Sequence, residues 1–185
     1  MLRRDDPAVT TRIALLRAVN VGKRTVKMSR LVELFDDLGF TDVWTHINSG
    51  NVVFEATGSR ADLEDTIQEA IEAEYGFECT TFVRTATELR TILRADPFEV
   101  GAADTYFVTF LKSTPSAATA EALEALSNDV DTLVVRGRDV HWLMHCRSTE
   151  TTLTKKVWED LVGKNTSTSR NTTMLRKLGA KIDRT

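Results

Sequence analysis

The sequence predicts an α+β protein built from two consecutive βαββαβ units, each an antiparallel sheet with helices packed on one face. Short apolar runs of strand length alternate with segments whose apolar residues recur at helical spacing. The order strand, helix, strand, strand, helix, strand occurs twice along the chain. A short helix follows each series, so we expect the two halves to share one plan.

In the first half, the two predicted helices have recognisable boundary signals. Gly39 and Gly76 follow helical patterns and are placed to terminate them, while Ser59 with Asp62 is typical of a helix N-cap. The predicted elements are a strand at 12–19, a helix from Met28 to Leu38, strands at 41–47 and 52–55, a helix from Ser59 to Gly76 and a strand at 79–84.

A short connecting helix is predicted between the two halves. Thr85 and Glu88 form a capping box, and the helical pattern stops before Asp96 and Pro97. The elements predicted beyond it are a strand at 105–111, a helix with N-cap Thr114 that runs to Leu126, a hairpin of 130–135 and 139–146, a helix ended by Gly163, a strand at 165–170 and a last helix around Met174 and Leu178.

This order of elements is the split βαβ pattern of a ferredoxin-like domain, so the sequence predicts tandem ferredoxin-like domains. We expect a flexible tail at 1–10 because this stretch is polar and contains Pro7. The predicted domains are 11–85 and 104–185, joined by a helix and loop at 86–103.

Composition narrows the functional class. Of 185 residues, 42% are hydrophobic and 28% are charged, which is ordinary globular usage and excludes fibrous or disordered classes. The net charge of −3 argues against a broad basic face for nucleic acid, which needs clustered Lys and Arg. Neither a signal peptide nor an apolar run of membrane-spanning length occurs, so we expect a cytoplasmic protein without a membrane partner.

Metal and cofactor chemistry receive no support from the sequence. The two cysteines, Cys79 and Cys146, lack CxxC or CxxH spacing. His141 and His145 are four residues apart in a predicted strand, where their Cα atoms would be roughly 13 Å apart, too far to chelate one ion. We therefore expect no metal site, and no motif indicates a cofactor.

Two polar loops are the candidate site. In the predicted topology the first two strands are parallel, with the third between them, so the loop after the first strand and the turn after the second emerge at one edge. These loops are NVGKRTVK and NSGN, and together they predict a site for a small polar or anionic ligand. The candidate ligand-binding residues are Arg17, Asn20, Gly22, Lys23, Lys27, Asn48, Ser49, Gly50, Asn51, Arg170 and Asn171.

The candidates divide by chemistry. The asparagines of the two loops, Asn20, Asn48 and Asn51, would fix hydrogen bonds. Lys23, Lys27 and Arg170 would supply charge, and Gly22 and Gly50 would let the backbone approach a ligand. We expect Arg17 to lie within the first strand. Arg170 and Asn171 stand where a strand passes into the last helix, so Asn171 is also typical of an N-cap.

Other interpretations stay open. NSGN can be a tight hairpin with Ser49 and Gly50 at its centre, and the lysines of the first loop can be ordinary solvated charges. The fold also permits a single-stranded nucleic-acid-binding module or an oligomeric scaffold. Neither GxSxG nor a P-loop occurs, so the sequence leaves enzymatic activity and oligomeric state undecided.

Several motifs together resemble a bacterial protein family. RAVNVG at 17–22, VKM at 26–28, INSGNVVF at 47–54, DPF at 96–98 and TSRN at 168–171 are similar to the family called domain of unknown function 1697. The resemblance covers nearly the whole chain and implies tandem ferredoxin-like domains without implying an activity. Where the family pattern continues with Trp after Arg-Asn, this chain has Thr172.

Overall fold

Two four-stranded antiparallel sheets organise the chain, which we describe from a computed structural model covering residues 8–22, 24–146 and 149–185. The chain divides into one unit up to Glu88 and another from Leu89 to Thr185. The protein is therefore α+β, as the sequence predicts. Among the described residues, none of the helices has the length and apolar content that a bilayer span requires.

The first unit contains four strands and two helices before a third helix carries the chain onward. In chain order these are β1 (Thr10–Leu16), α1 (Met28–Asp37), β2 (Thr41–Thr45), β3 (Asn51–Ala56), α2 (Arg60–Tyr75), β4 (Thr81–Thr85) and α3 (Ala86–Arg94). The strand order is β2-β3-β1-β4. Since β1 and β2 both pair antiparallel with β3, they run parallel to each other and end at the same edge.

One face of the first sheet is covered by both of its helices. The core of this unit joins residues of β1, β3 and β4 to apolar residues of α1 and α2. Phe35 of α1 and Phe54 of β3 meet edge-on, with ring centroids 5.3 Å apart. This packing holds α1 against the sheet.

The second unit repeats the strand order, as β6-β7-β5-β8. Its elements are β5 (Thr105–Leu111), α4 (Ala117–Glu124), β6 (Asp131–Arg136), β7 (Asp139–Met144), α5 (Lys155–Val162), β8 (Ser167–Asn171) and α6 (Thr172–Ile182). Leu123 of α4 and Trp158 of α5 pack with Trp142 of β7 in its core.

Most predicted elements differ from the structure by one to three residues at their ends, and two of these differences have a clear local cause. The first strand ends at Leu16, because Ala18 adopts a left-handed backbone with φ 55° and cannot continue it, so Arg17 lies in the bend beyond β1 rather than within the strand. The N-cap of α4 is Ser116 rather than Thr114, since the Ser116 hydroxyl accepts from Thr119 N at 3.1 Å.

Candidate functional site

An open depression lies where β1 passes into α1, beside the turn that joins β2 to β3. Its volume is about 590 Å³. The described residues that line it are Asn20, Gly22, Arg24, Thr25, Val26, Lys27, Met28, Ser29 and Asn48. None of these nine is acidic, so the described lining carries positive charge only. Lys23 lies outside the described residues.

Asn20 closes the loop that forms most of this depression. Its Oδ1 accepts from Val26 N at 2.7 Å, and its Nδ2 donates to Val26 O at 3.3 Å and to Asn48 O at 3.0 Å. One side chain therefore holds both ends of the loop and fastens it to the turn. The expected meeting of the two polar loops is confirmed by this last bond.

Asn51 has a structural duty at the base of the turn. Its amide nitrogen donates to His46 O at 3.1 Å and to Ser49 Oγ at 2.7 Å, and the residue is fully buried. Since both amide protons are used and no surface is exposed, Asn51 cannot reach a ligand in the depression. Burial therefore excludes Asn51 as a ligand contact in the depression.

The turn itself is longer than the two-residue hairpin that the sequence allows. His46 N donates to Asn51 O at 2.9 Å, which leaves the four residues 47–50 in the loop. Ser49 and Gly50 are at its second half and do not line the depression. The extra length places Asn48 beside Asn20.

Gly50 is required by both conformation and packing. Its φ is 71°, and its carbonyl accepts from Leu16 N at 2.8 Å. A Cβ at this position would lie 2.6 Å from Val19 Cγ2 and 3.0 Å from Leu16 Cβ. Gly50 therefore allows the turn to pack directly on the end of β1, and we assign it a structural role.

The start of α1 opens into the depression without a side-chain cap. Lys27 occupies the N-cap position and makes no capping bond, and the first turn holds no acidic residue. By contrast, Ser59 caps α2 and Asn171 caps α6 through Thr173 N at 2.8 Å. The first N–H groups of α1 therefore keep their donor capacity, with the positive end of the helix dipole behind them.

Two cationic side chains accompany this helix start. Lys27 is exposed and has no ion-pair partner within the described part of the chain. Arg24 donates to Glu78 O at 3.3 Å, and its guanidinium carbon lies 4.4 Å from the centre of the Phe77 ring. Arg24 is not among the residues predicted from the sequence, because its contacts with residues 77 and 78 involve a distant part of the chain.

The remaining candidates lie outside the depression. Arg17 is half-buried, and its backbone N donates to Thr80 O at 3.0 Å. Arg170 and Asn171 belong to the second unit, where the Arg170 guanidinium donates to Thr168 Oγ1 at 2.8 Å and to Ser169 O at 3.0 Å. Asn171 acts as the N-cap that its position predicts.

Thr172 follows Asn171 as the first residue of α6. Its hydroxyl donates to Tyr106 O at 3.1 Å, and the residue is buried. A small hydroxyl side chain thus ties the start of α6 to β5. This contact accounts for Thr172 without any role in ligand binding.

Comparison with known proteins adds a family and a structural neighbour. No curated protein matches the chain. The structure is similar to that of the conserved bacterial protein SP0830 from Streptococcus pneumoniae, with a TM-score of 0.72 and 21% identity over 95% of this chain and 99% of that one. The profile of a family described as a protein of unknown function, DUF1697, matches residues 9–141. The chain therefore belongs to the DUF1697 family.

Proposed function

We propose that the depression at the start of α1 binds a small anion such as a phosphate or carboxylate group. The main support is that the uncapped start of α1 lies beside Lys27 and Arg24 in one depression, whose described lining has no acidic side chain. Backbone N–H groups at a helix start and nearby cations are the groups that bind anions in proteins.

Asn48 supplies the polar specificity of the proposed site. Its carbonyl is used by Asn20, whereas its side-chain amide makes no hydrogen bond to any described residue. An exposed amide can donate to an anion or accept from a hydroxyl of the same ligand. Asn48 can therefore serve the ligand and the fold at once, through different atoms.

The strand orders also support a more specific fold for each unit. We propose that each unit is a ferredoxin-like domain, supported by the βαββαβ order and by the shared strand orders β2-β3-β1-β4 and β6-β7-β5-β8. In this arrangement the loop after the first strand and the turn after the second are neighbours. The proposed site uses that neighbourhood in the first unit.

The test is a titration with inorganic phosphate, followed by ¹H–¹⁵N NMR at constant ionic strength set with NaCl. Phosphate should shift the amide signals of Met28, Ser29 and Asn48. Lys27→Gln should weaken binding roughly tenfold, since a charge-assisted hydrogen bond is lost. Asn48→Ala should weaken binding while leaving the melting temperature nearly unchanged, because the bond from Asn20 goes to the Asn48 backbone.

Lys177→Gln is the matched control, since Lys177 is an exposed lysine on α6 of the second unit. It removes the same net charge at a residue that does not line the depression and should leave phosphate affinity unchanged. Equal weakening by both lysine substitutions would show that phosphate affinity depends only on the net charge of the protein. That result, or an absence of shifts at the start of α1, contradicts the proposed function.

A further inference from the structure

Two large apolar side chains are exposed beside the depression. Val21 is 64% exposed and stands between Asn20 and Gly22, and Ile47 is 55% exposed and precedes Asn48. Within the described residues, the only other large exposed apolar side chains are Val9 and Val100. Two of these four residues are thus chain neighbours of groups that line one polar depression.

Neither burial nor backbone conformation favours isoleucine at position 47. Its side chain is mostly in solvent, so it gains little from burial. Its backbone has φ 52°, a left-handed conformation that β-branched residues adopt only with strain and that Asn or Gly adopt readily. An exposed apolar side chain at this position is available to contact a ligand.

Arg24 adds a flat surface to the same place. Its guanidinium carbon lies over the Phe77 ring, 4.4 Å from the ring centre, and the residue remains exposed. A guanidinium held over one ring can contact a second planar group on its exposed side while its charge attracts an anion. The neighbourhood therefore combines positive charge, a planar cation and aliphatic groups.

We propose that the ligand of this site is an amphipathic organic anion: a phosphate or carboxylate held at the start of α1, carrying an aryl or alkyl group that contacts Val21 and Ile47. This inference rests on the proposed function, because the charged end of the ligand occupies the same depression. It specifies that the apolar part contributes to affinity, which a bare inorganic ion cannot do.

The test compares phenyl phosphate with inorganic phosphate on the full chain, by the same NMR titration. Phenyl phosphate should bind roughly tenfold more tightly, as expected for covering parts of two aliphatic side chains. The double variant Val21→Thr with Ile47→Asn should remove this advantage and keep the affinity for inorganic phosphate. Asn suits a left-handed position, so the variant turn should fold at least as well.

Val100→Thr is the control for a general loss of exposed apolar surface, and it should preserve the preference for phenyl phosphate. Equal affinities of the two ligands for the unsubstituted chain, with inorganic phosphate bound at α1, would overturn this inference and leave the proposed function intact. Failure of both ligands to bind would overturn the proposed function and this inference with it.

Discussion

His141 provides a pH-dependent contribution to the stability of the second unit. Its ring is fully buried, Nδ1 shares a hydrogen bond with the Tyr106 hydroxyl, and Nε2 has no partner among the described residues. Burial, assisted by the positive charge of Arg136 and opposed by Asp96, lowers the pKa of His141 from 6.5 to about 4. The native state therefore holds this histidine neutral.

The sign and size of the effect follow from linkage. The pKa of His141 is lower in the folded chain than in the unfolded chain, so the unfolded state binds a proton first as the pH falls. The stabilisation is fully present above pH 6.5 and is lost as the pH falls from 6.5 to about 4. With 1.36 kcal/mol per pKa unit, the complete loss is about 3 kcal/mol, most of it reached by about pH 4.5.

The assay is urea unfolding at pH 7.0 and 4.5, followed by tryptophan fluorescence, since Trp142 and Trp158 lie in the core of this unit. His141→Gln keeps an acceptor for the Tyr106 hydroxyl and cannot titrate. Between the two pH values the unsubstituted chain should lose about 2–3 kcal/mol more than this variant. His145→Gln, at an exposed position, is the control. Parallel losses in the unsubstituted chain and His141→Gln would refute the reasoning.

Two further predictions concern the first unit. Lys27→Ser should stabilise the unit by about 0.5–1 kcal/mol, because serine supplies the missing N-cap of α1. The same substitution should weaken phosphate binding, because it removes a positive charge. Urea unfolding and the NMR titration test these effects, and unchanged binding in a stabilised variant would contradict the prediction. Gly50→Ala should cost about 2–4 kcal/mol, because the new methyl would collide with Val19 at a left-handed position. Gly22→Ala is its control at a second left-handed glycine (φ 65°), because beyond the chain neighbours no described atom lies within 4 Å of the added Cβ. Equal melting temperatures of these two variants would show that packing under the turn is unimportant.

Local signals made much of the fold predictable. The hydrogen bonds that cap helix N-termini were visible in the sequence because they connect residues three positions apart, as with Ser59 and Asp62. Thr85 and Glu88 form the predicted capping box, with Glu88 N donating to Thr85 Oγ1 at 3.0 Å. The N-cap of α4 was misplaced because Thr114, Pro115 and Ser116 offer two hydroxyls and a proline within three residues.

The order of elements predicted that the two polar loops meet, but it did not predict which of their side chains are exposed. The pairing of β1 and β2 with β3 brings the two polar loops to one edge, which the order of elements already indicated. The burial of Asn51 and the contact of Arg24 with Phe77 depend on packing between segments far apart in sequence. Periodicity carries no information about such contacts, so it cannot separate a structural asparagine from an exposed one.

The three asparagines of the two loops show how fold and binding can share one motif. Asn20 uses both polar atoms of its amide to hold the loop and the turn together. Asn51 uses its amide protons below the turn, where it is buried. Asn48 contributes only its backbone carbonyl to this network, since the bond from Asn20 Nδ2 ends there. Replacement of Asn20 or Asn51 therefore alters the frame of the depression, and any resulting loss of binding is ambiguous. Asn48 is the asparagine whose side chain can be removed with that frame left in place.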